Sequence, residues 1–345
     1  MVRISDPIEW KLLAEVLTKS DKVTHLRVRF WGFMSTANTE NEYDDGAIDF
    51  AQGFVQSQTV EQLWMCGWRL HSSISNYFEA TLRAPASSTR LRRLSLVSTL
   101  FDIFQLECWT EELSKKYPLE ELEIQFCKLR NDHVSALVAG LKTNRTLKSI
   151  DLSSNFISDN GAISLAGLLT TNTTLERLVL YSNNIYTIGA VALVSSSKHL
   201  KILDLSGNDL DNIGACTQIA TTLEGNKSLT ELELDGRFLS KCKANQDDLW
   251  LEPFIEALWF NTTCTDISLF DYFSSRPNYI KLKRLAEIND TATSPDEALA
   301  KKIEEFGSAP VRTQQKHMMD KEWRSFLSGI PDVVLEEELC MRKND

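Results

Sequence analysis

The chain has 345 residues, of which 43% are hydrophobic, and it carries a formal net charge of −11 at pH 7. This acidity argues against a nucleic-acid binder, which would present a basic patch, and the lack of any run of about 18 apolar residues argues against a membrane span. The seven cysteines include no C-x-x-C pair, and the first residues lack the apolar stretch of a signal peptide. We therefore expect a cytoplasmic protein, in an intracellular and reducing compartment.

The first predicted element is a helix within residues 1–22. Trp10, Leu13 and Leu17 recur at helical spacing, so one side of this helix is apolar. We predict that residues 1–22 form an N-terminal helical cap that covers the first edge of the core that follows.

Residues 23–290 contain a repeated motif. In its clearest copies, which begin at Leu119, Leu147 and Leu175, aliphatic residues occupy positions 1, 4 and 6, and the copies start 28 residues apart. Position 9 is a Cys or Asn, and position 11 is again aliphatic. Looser copies bring the total to about nine, with starts at Val23, Val60, Leu91, Leu119, Leu147, Leu175, Leu200, Leu229 and Cys264.

A short amphipathic helix is predicted between successive motifs. After Ser158 and Asp159, which suit a helix N-terminus, apolar residues recur at Ala162, Leu165 and Leu169. Each unit is therefore predicted to be a strand, a turn, a helix and a turn. A single unit cannot bury both its strand and its helix, so neighbouring units must stack into one continuous core.

With this period and the pattern L-x-x-L-x-L-x-x-N/C-x-L, the chain resembles the leucine-rich repeat proteins, and among them the ribonuclease-inhibitor-like class. The resemblance covers about three quarters of the chain. It implies an α/β solenoid, or horseshoe, with a concave parallel β-sheet and convex helices. At position 9 it implies a structural ladder, whose side chains bond backbone groups of the adjoining turns. Its members would be Cys127, Asn155, Asn183 and Asn208.

Motif positions 3, 5 and 7 are predicted to face the groove, because side chains alternate along a strand. This groove is basic at its N-terminal end, acidic at its C-terminal end, and carries two apolar or aromatic residues between. The candidate partner-binding residues are Arg27, Arg29, Trp64, Arg93, Tyr181, Ile202, Glu231, Glu233, Asp235 and Asp266. Trp64 suits a binding anchor, although it could instead pack under a terminal loop.

Two insertions interrupt the period, and five N-x-[ST] sequons occur. The longer insertion, residues 35–46, is acidic, and we predict a solvated loop, a partner contact or, less in keeping with its spacing, a calcium site. Four sequons, at Asn144, Asn172, Asn226 and Asn261, precede strand motifs. We expect each of these asparagines to end its helix in a left-handed turn, rather than to carry a glycan.

The repeat is lost after about residue 290. Residues 294–297 read Ser-Pro-Asp-Glu, a capping box before an apolar pattern. We predict that residues 291–345 are either a C-terminal helical cap or a docking tail.

None of the common catalytic or nucleotide-binding motifs occurs in the sequence. We therefore expect no enzyme activity, no cofactor and no metal, and interpret the chain as a scaffold that binds a protein partner in the groove. The identity of the partner and the oligomeric state of the chain stay open. The alternatives are a GTPase-activating protein of the leucine-rich-repeat type, or the recognition subunit of a larger regulatory or immune assembly. Against the first, the 35–46 insertion contains no arginine and the tail is not strongly acidic.

Overall fold

The computed structural model describes residues 2–4, 7–30, 50, 53–54, 57, 59–67, 90–99, 106, 110, 119–210, 213–234, 251–268 and 277–306. The chain forms two compact units, residues 1–291 and residues 292–345. Within the described residues, no helix is both long enough and apolar enough to span a membrane.

Ten parallel strands form one sheet in the described part of the first unit, in the order in which they occur along the chain. They are β1 (Val2–Ile4), β2 (His25–Phe30), β3 (Gln62–Cys66), β4 (Arg93–Val97), β5 (Glu121–Gln125), β6 (Ser149–Asp151), β7 (Arg177–Val179), β8 (Ile202–Asp204), β9 (Glu231–Glu233) and β10 (Asp266–Ser268). Each strand from β2 to β10 begins at position 3 of one predicted motif. This agreement confirms the predicted α/β solenoid of about nine repeats.

The described helices alternate with the later strands. They are α1 (Pro7–Lys19), α2 (Asn131–Leu141), α3 (Asp159–Leu169), α4 (Thr187–Ser196), α5 (Ile213–Gly225), α6 (Glu252–Phe260), α7 (Pro277–Thr291) and α8 (Pro295–Phe306). From α2 to α7, each helix packs against the next one along the chain. The stacking that the apolar patterns required is therefore present in both layers.

The two faces of the sheet differ in burial. In β5, Leu122 and Ile124 at positions 4 and 6 are fully buried, whereas Glu121, Glu123 and Gln125 are half-exposed. The buried positions meet the helices, because alternate side chains of a strand point to opposite faces. We call the other face, formed by positions 3, 5 and 7, the open face of the sheet.

The first element differs from the sequence prediction. A helix is present at residues 7–19, with Leu13 and Leu17 buried, but it is preceded by strand β1, which pairs in parallel with β2. This strand was not predicted, because a three-residue strand is too short to show a period. The role of residues 1–22 as a cap stays a prediction.

The helix α8 begins where the capping box placed it. The Glu297 amide donates to Ser294 Oγ at 3.2 Å, and the Glu297 carboxylate accepts the Thr293 amide at 2.8 Å. Hydrogen bonds from Lys301, and then from Thr293, lower the pKa of Glu297 to about 2. Whether residues 291–345 are a cap or a docking tail stays open.

The position-9 side chains tie each repeat to the preceding one. Asn155 Oδ1 accepts the amides of Cys127 and Leu129 at 3.0 and 3.1 Å, and its Nδ2 donates to the carbonyls of Ile124 and Leu152, both at 2.8 Å. Asn183 and Asn208 donate to the two corresponding carbonyls one and two repeats later, and each accepts one amide, from Ile157 and Ile185 respectively. In the earlier repeat the Cys127 thiol accepts the Thr99 amide at 3.3 Å. Burial raises the pKa of this thiol to about 12.

A second row of asparagines lies at the turns that enter the strands. Asn172 Oδ1 accepts the amides of Thr174 and Leu175, both at 2.9 Å, and its Nδ2 donates to the Asn144 carbonyl of the preceding repeat at 3.2 Å. Asn144, Asn226 and Asn261 accept their own downstream amides in the same way.

The expected left-handed turn at these asparagines is therefore wrong. Asn261 follows α6 with φ −71° and ψ 126°, and within the described residues none of the four has a positive φ. The Ser or Thr of the sequon has a structural role, since the Thr174 hydroxyl donates to Asn172 at 3.1 Å. All four asparagine side chains are buried.

The start of a helix is capped by the repeat before it. Asn131 Oδ1, at the start of α2, accepts the amides of Ser158 and Gly161 at the start of α3, at 2.9 and 3.1 Å. Asp159 does the same for α4. Ser158 occupies the N-cap of α3, as predicted, but its hydroxyl accepts from Asn131 Nδ2 at 2.8 Å and caps no amide of its own helix.

The turn after each strand from β3 to β8 contains a residue in the left-handed region. This residue lies at position 8, and the set is Gly67, Ser98, Phe126, Ser154, Ser182 and Gly207, with φ between 52° and 79°. Glycine adopts this region without steric cost, and a bulky side chain rarely does. Phe126 is therefore the exceptional member of the set.

Candidate functional site

The sheet register brings most of the predicted groove residues into two rows on the open face. Row one, at position 3, is His25, Gln62, Arg93, Glu121, Ser149, Arg177, Ile202, Glu231 and Asp266. Row two, at position 5, is Arg27, Trp64, Ser95, Glu123, Asp151, Val179, Asp204, Glu233 and Ser268. Neighbours within a row are about 4.8 Å apart along the sheet.

At the N-terminal end, the structure brings Arg27, Arg29 and Trp64 together. Arg27 and Trp64 are partners in the register, and the Arg29 guanidinium carbon lies 5.8 Å from the centroid of the Trp64 ring. This is the geometry of a cation–π contact. Trp64 is half-buried, and the 35–46 insertion, under which it could pack, lies outside the described residues.

Charges at the edge of the open face are largely paired with one another. The Arg93 guanidinium forms an ion pair with Glu121 of the next strand. At position 2, Glu120 pairs with both Arg92 and Lys148, the latter at 2.8 Å, and Glu176 pairs with Lys201 at 3.1 Å. Hydrogen bonding to Lys148, and then to Arg92, lowers the pKa of Glu120. These side chains are half-exposed or exposed, so solvent screens the pairs and each adds little stability.

A cleft of about 460 Å³ lies in the middle of the open face, over strands β4 to β8. Arg177 lies between Ser149 and Ile202 in row one and lines this cleft. Unlike Arg93 and Lys148, it has no ion pair among the described residues. The cleft therefore contains a half-buried cation that forms no ion pair among the described residues, while its charge does reach Glu233, whose pKa it lowers.

The C-terminal end of the open face is acidic, as predicted. Glu231 pairs in the register with Ile202 and Asp266, and Glu233 pairs with Asp204. Burial, and then the charge of Asp204, raise the pKa of Glu233, while Arg177 opposes this shift. Asp266 accepts a hydrogen bond from Lys283 of α7 at 2.7 Å. Asp235 lies outside the described residues.

The two remaining predicted residues are not brought together. Ile202 lies at the first residue of β8 and lines the cleft. Tyr181 lies two residues beyond the end of β7, at the opposite end of the strands, and is 49% exposed. Among the described residues, no group of three or more His, Cys, Asp or Glu side chains could hold a metal ion.

Several exposed or half-exposed residues near these positions are absent from the predicted set. Arg177, Glu123 and Asp151 belong to the same rows as the predicted residues, and the motif positions alone identify them. Phe156 and Tyr186 lie in the turns that leave the strands and are 54% and 44% exposed. They lie outside positions 3, 5 and 7, so a reading restricted to the strands misses them.

The comparisons with known proteins concern the same repeats. A family model described as leucine-rich repeat matches residues 143–166, 171–194 and 196–215. A search of curated proteins finds no match.

Solved structures with some likeness include the actin-binding site 2 of leiomodin-1, at 18% identity and a TM-score of 0.36, covering 59% of this chain and 96% of that one. A tropomodulin C-terminal domain from Caenorhabditis elegans aligns at 14% identity and a TM-score of 0.36, covering 55% and 94%. Neither likeness bears on function at these values. The matched repeats, the 28-residue spacing and the ten-stranded parallel sheet together assign this chain to the leucine-rich repeat proteins.

Proposed function

We propose that this protein is a non-enzymatic scaffold that binds a protein partner on the open face of its sheet. The observation that carries the proposal is Arg177 in the central cleft, which has no ion pair among the described residues, with the half-exposed Glu231 and Glu233 two strands away. The other cations that line the cleft, Arg93, Lys148 and Lys201, are paired with neighbouring glutamates. Arg177, Glu231 and Glu233 are therefore the charges that we expect a partner to meet. Complementary charge of this kind orients an encounter and excludes wrong partners.

The proposed partner surface carries an acidic group for Arg177 and basic groups for the carboxylates about two strands away. Arg27, Arg29 and Trp64 would extend the contact toward the N-terminal end. The cation–π contact favours Trp64 as an anchor that is already positioned, because an ordered aromatic side chain loses little freedom on binding. The contributions of Tyr181 and Asp235 to this surface stay predictions.

The finer assignments are also part of this proposal. The alternation of strands with helices of 9 to 15 residues supports the ribonuclease-inhibitor-like class. The buried free thiols of Cys127 and Cys264 support a reducing, cytoplasmic location. Among the described residues, no feature favours the GTPase-activating alternative or a subunit of an immune assembly over a plain scaffold.

The test is affinity capture from the native cell with wild-type protein, Arg177→Glu, Trp64→Ala and the pair Glu231→Lys/Glu233→Lys. Lys142→Glu, an exposed charge reversal next to α2, is the matched control. We expect proteins that wild type and the control retain to be lost from the open-face variants, with all five circular dichroism spectra alike. Equal recovery from all five would contradict the proposal.

A further inference from the structure

Phe126 is strained and exposed at the same time. Its φ of 55° is in the left-handed region, which the position-8 residues of the other turns from β3 to β8 enter as glycine or serine, and the residue is 58% exposed. A bulky residue in this region is costly, and strain of this kind collects at functional sites. With so much of the ring in solvent, packing within the fold offers little compensation, which points to a contact outside the molecule.

Two further aromatic residues continue the line of Phe126 across the next two repeats. Phe156 and Tyr186 follow it at intervals of 30 residues, so each is displaced by two positions within its repeat. Hydrogen bonds hold these turns side by side, since the Phe156 amide donates to the Leu129 carbonyl and the Tyr186 amide to the Asp159 carboxylate, both at 2.8 Å. Ile188, 67% exposed, follows Tyr186 at the start of α4. We call Phe126, Phe156, Tyr186 and Ile188 the aromatic rim.

Two cations accompany the first part of the aromatic rim. Lys128 and Arg130 follow Phe126 in the same turn, both are exposed, and neither forms an ion pair within the described residues. The acidic Asp132 is engaged with His133, whose backbone amide donates to it at 2.9 Å and lowers its pKa. At this end the rim therefore combines exposed apolar surface with two cations and one ionised carboxylate, which is a net positive charge.

We propose that the aromatic rim docks an amphipathic helix of a partner protein, with an apolar stripe and carboxylates beside it. Neighbouring repeats are about 4.8 Å apart where their strands pair, close to the 5.4 Å pitch of an α-helix. Apolar side chains at successive turns of such a helix can therefore meet successive repeats, as in helix-in-groove recognition. The carboxylates meet Lys128 and Arg130. This surface lies at the C-terminal ends of the strands and does not depend on the open-face proposal.

The binding test uses a fluorescent synthetic peptide of about 18 residues, five helical turns, with leucines at i, i+4, i+7 and i+11 flanked by glutamates. A second peptide replaces the glutamates by lysines, and a third scrambles the leucines. We expect the purified full chain to bind the first peptide at least tenfold more tightly than the others by fluorescence anisotropy. Similar affinity for all three would overturn the proposal.

Variants that borrow residues from neighbouring repeats make the test specific. Phe126→Ser, Phe156→Asn and Tyr186→Ser copy the residues found at Ser154, Asn184 and Ser158, and each is expected to weaken binding about tenfold or more, or about 1.4 kcal/mol. The control Ile163→Ser removes an apolar side chain of α3 that is as exposed as Tyr186 and is expected to leave binding unchanged. Lys128→Glu should weaken binding of the glutamate peptide and strengthen binding of the lysine peptide. Loss of binding in the Ile163 control would overturn the assignment to the rim.

A second measurement separates function from structure at Phe126. Phe126→Gly relieves the left-handed strain, so we expect a higher unfolding midpoint together with weaker peptide binding. A lower midpoint would show that Phe126 is a packing residue and overturn the proposal. Sedimentation of wild type is also informative, because self-association abolished by Phe126→Ser would make a second copy the occupant and likewise overturn it. Arg177→Glu should bind the peptide normally, so this test can fail independently of the open-face proposal.

Discussion

Replacing Asn155 by alanine is expected to be among the most destabilising single substitutions in the solenoid. The side chain is buried, and its removal leaves the amides of Cys127 and Leu129 without their acceptor. A buried donor without a partner costs about 1–3 kcal/mol. The carbonyls of Ile124 and Leu152 also lose a donor, but each is a less costly loss because a carbonyl oxygen can accept more than one bond. We therefore expect a loss of about 3–5 kcal/mol in the free energy of unfolding.

Urea denaturation followed by circular dichroism measures this loss, and Asn155→Cys is the matched control. Cysteine occupies the same position one repeat earlier, where its thiol accepts the Thr99 amide and its sulfur lies 3.4 Å from the Leu96 carbonyl. We expect the cysteine variant to recover part of the loss, since sulfur is a weak donor and acceptor. A loss below about 1 kcal/mol for Asn155→Ala, or equal losses for both variants, would refute the view that the ladder bonds hold the repeats together.

Three further predictions follow from the same packing. In α3, Gly161→Ala would bring a Cβ to within 2.7 Å of a neighbouring side chain and should lower the free energy of unfolding by about 1–3 kcal/mol. Gly167→Ala meets open space in the same helix and should raise the free energy of unfolding by about 0.5–1 kcal/mol. Thermal unfolding of the two variants measures the difference. Because burial raises the pKa of Cys127 and of Cys264 to about 12, both should resist iodoacetamide at pH 8 until urea is added, as read by peptide mass spectrometry. The raised pKa of Glu233 means that its folded carboxyl holds a proton to higher pH than the unfolded one, so ionisation costs stability above that pKa. Glu233→Gln should therefore unfold at a slightly higher temperature at pH 7, with the difference vanishing below about pH 4.

The strands of this fold were predictable because each repeat buries the same type of side chain at the same motif positions. Each strand must present aliphatic side chains at positions 4 and 6, so the leucines mark the register even in the irregular copy that begins at Cys264. The open-face rows follow from that register without further information. The structural role of position 9 was also predictable, because the backbone groups of a buried turn need a side chain such as Asn155 that both donates and accepts hydrogen bonds.

The turns were less predictable, because their geometry depends on the neighbouring repeat. The asparagines that precede the strands were expected to adopt a left-handed conformation, but Asn172 bonds forward to its own turn and back to the Asn144 carbonyl. Capping of α3 by Asn131 involves residues 27 and 30 positions apart, beyond any local signal. Nothing in the local sequence marks Phe126 as left-handed, since the evidence for that conformation lies in the glycines and serines of other repeats.

The same repeats show which side chains the fold leaves available for a partner. At position 2, Glu120 and Lys148 alternate in sign along the stack and neutralise one another, so a partner that used either charge would first have to break a pair. A partner that bound Arg177, Lys128 or Arg130 would break no ion pair among the described residues. An exposed charge without an ion pair, or an exposed ring that the fold holds under strain, contributes little to folding. Substitution there should leave stability unchanged or improved and should reduce binding, whereas substitution in the asparagine rows should lower stability throughout the solenoid.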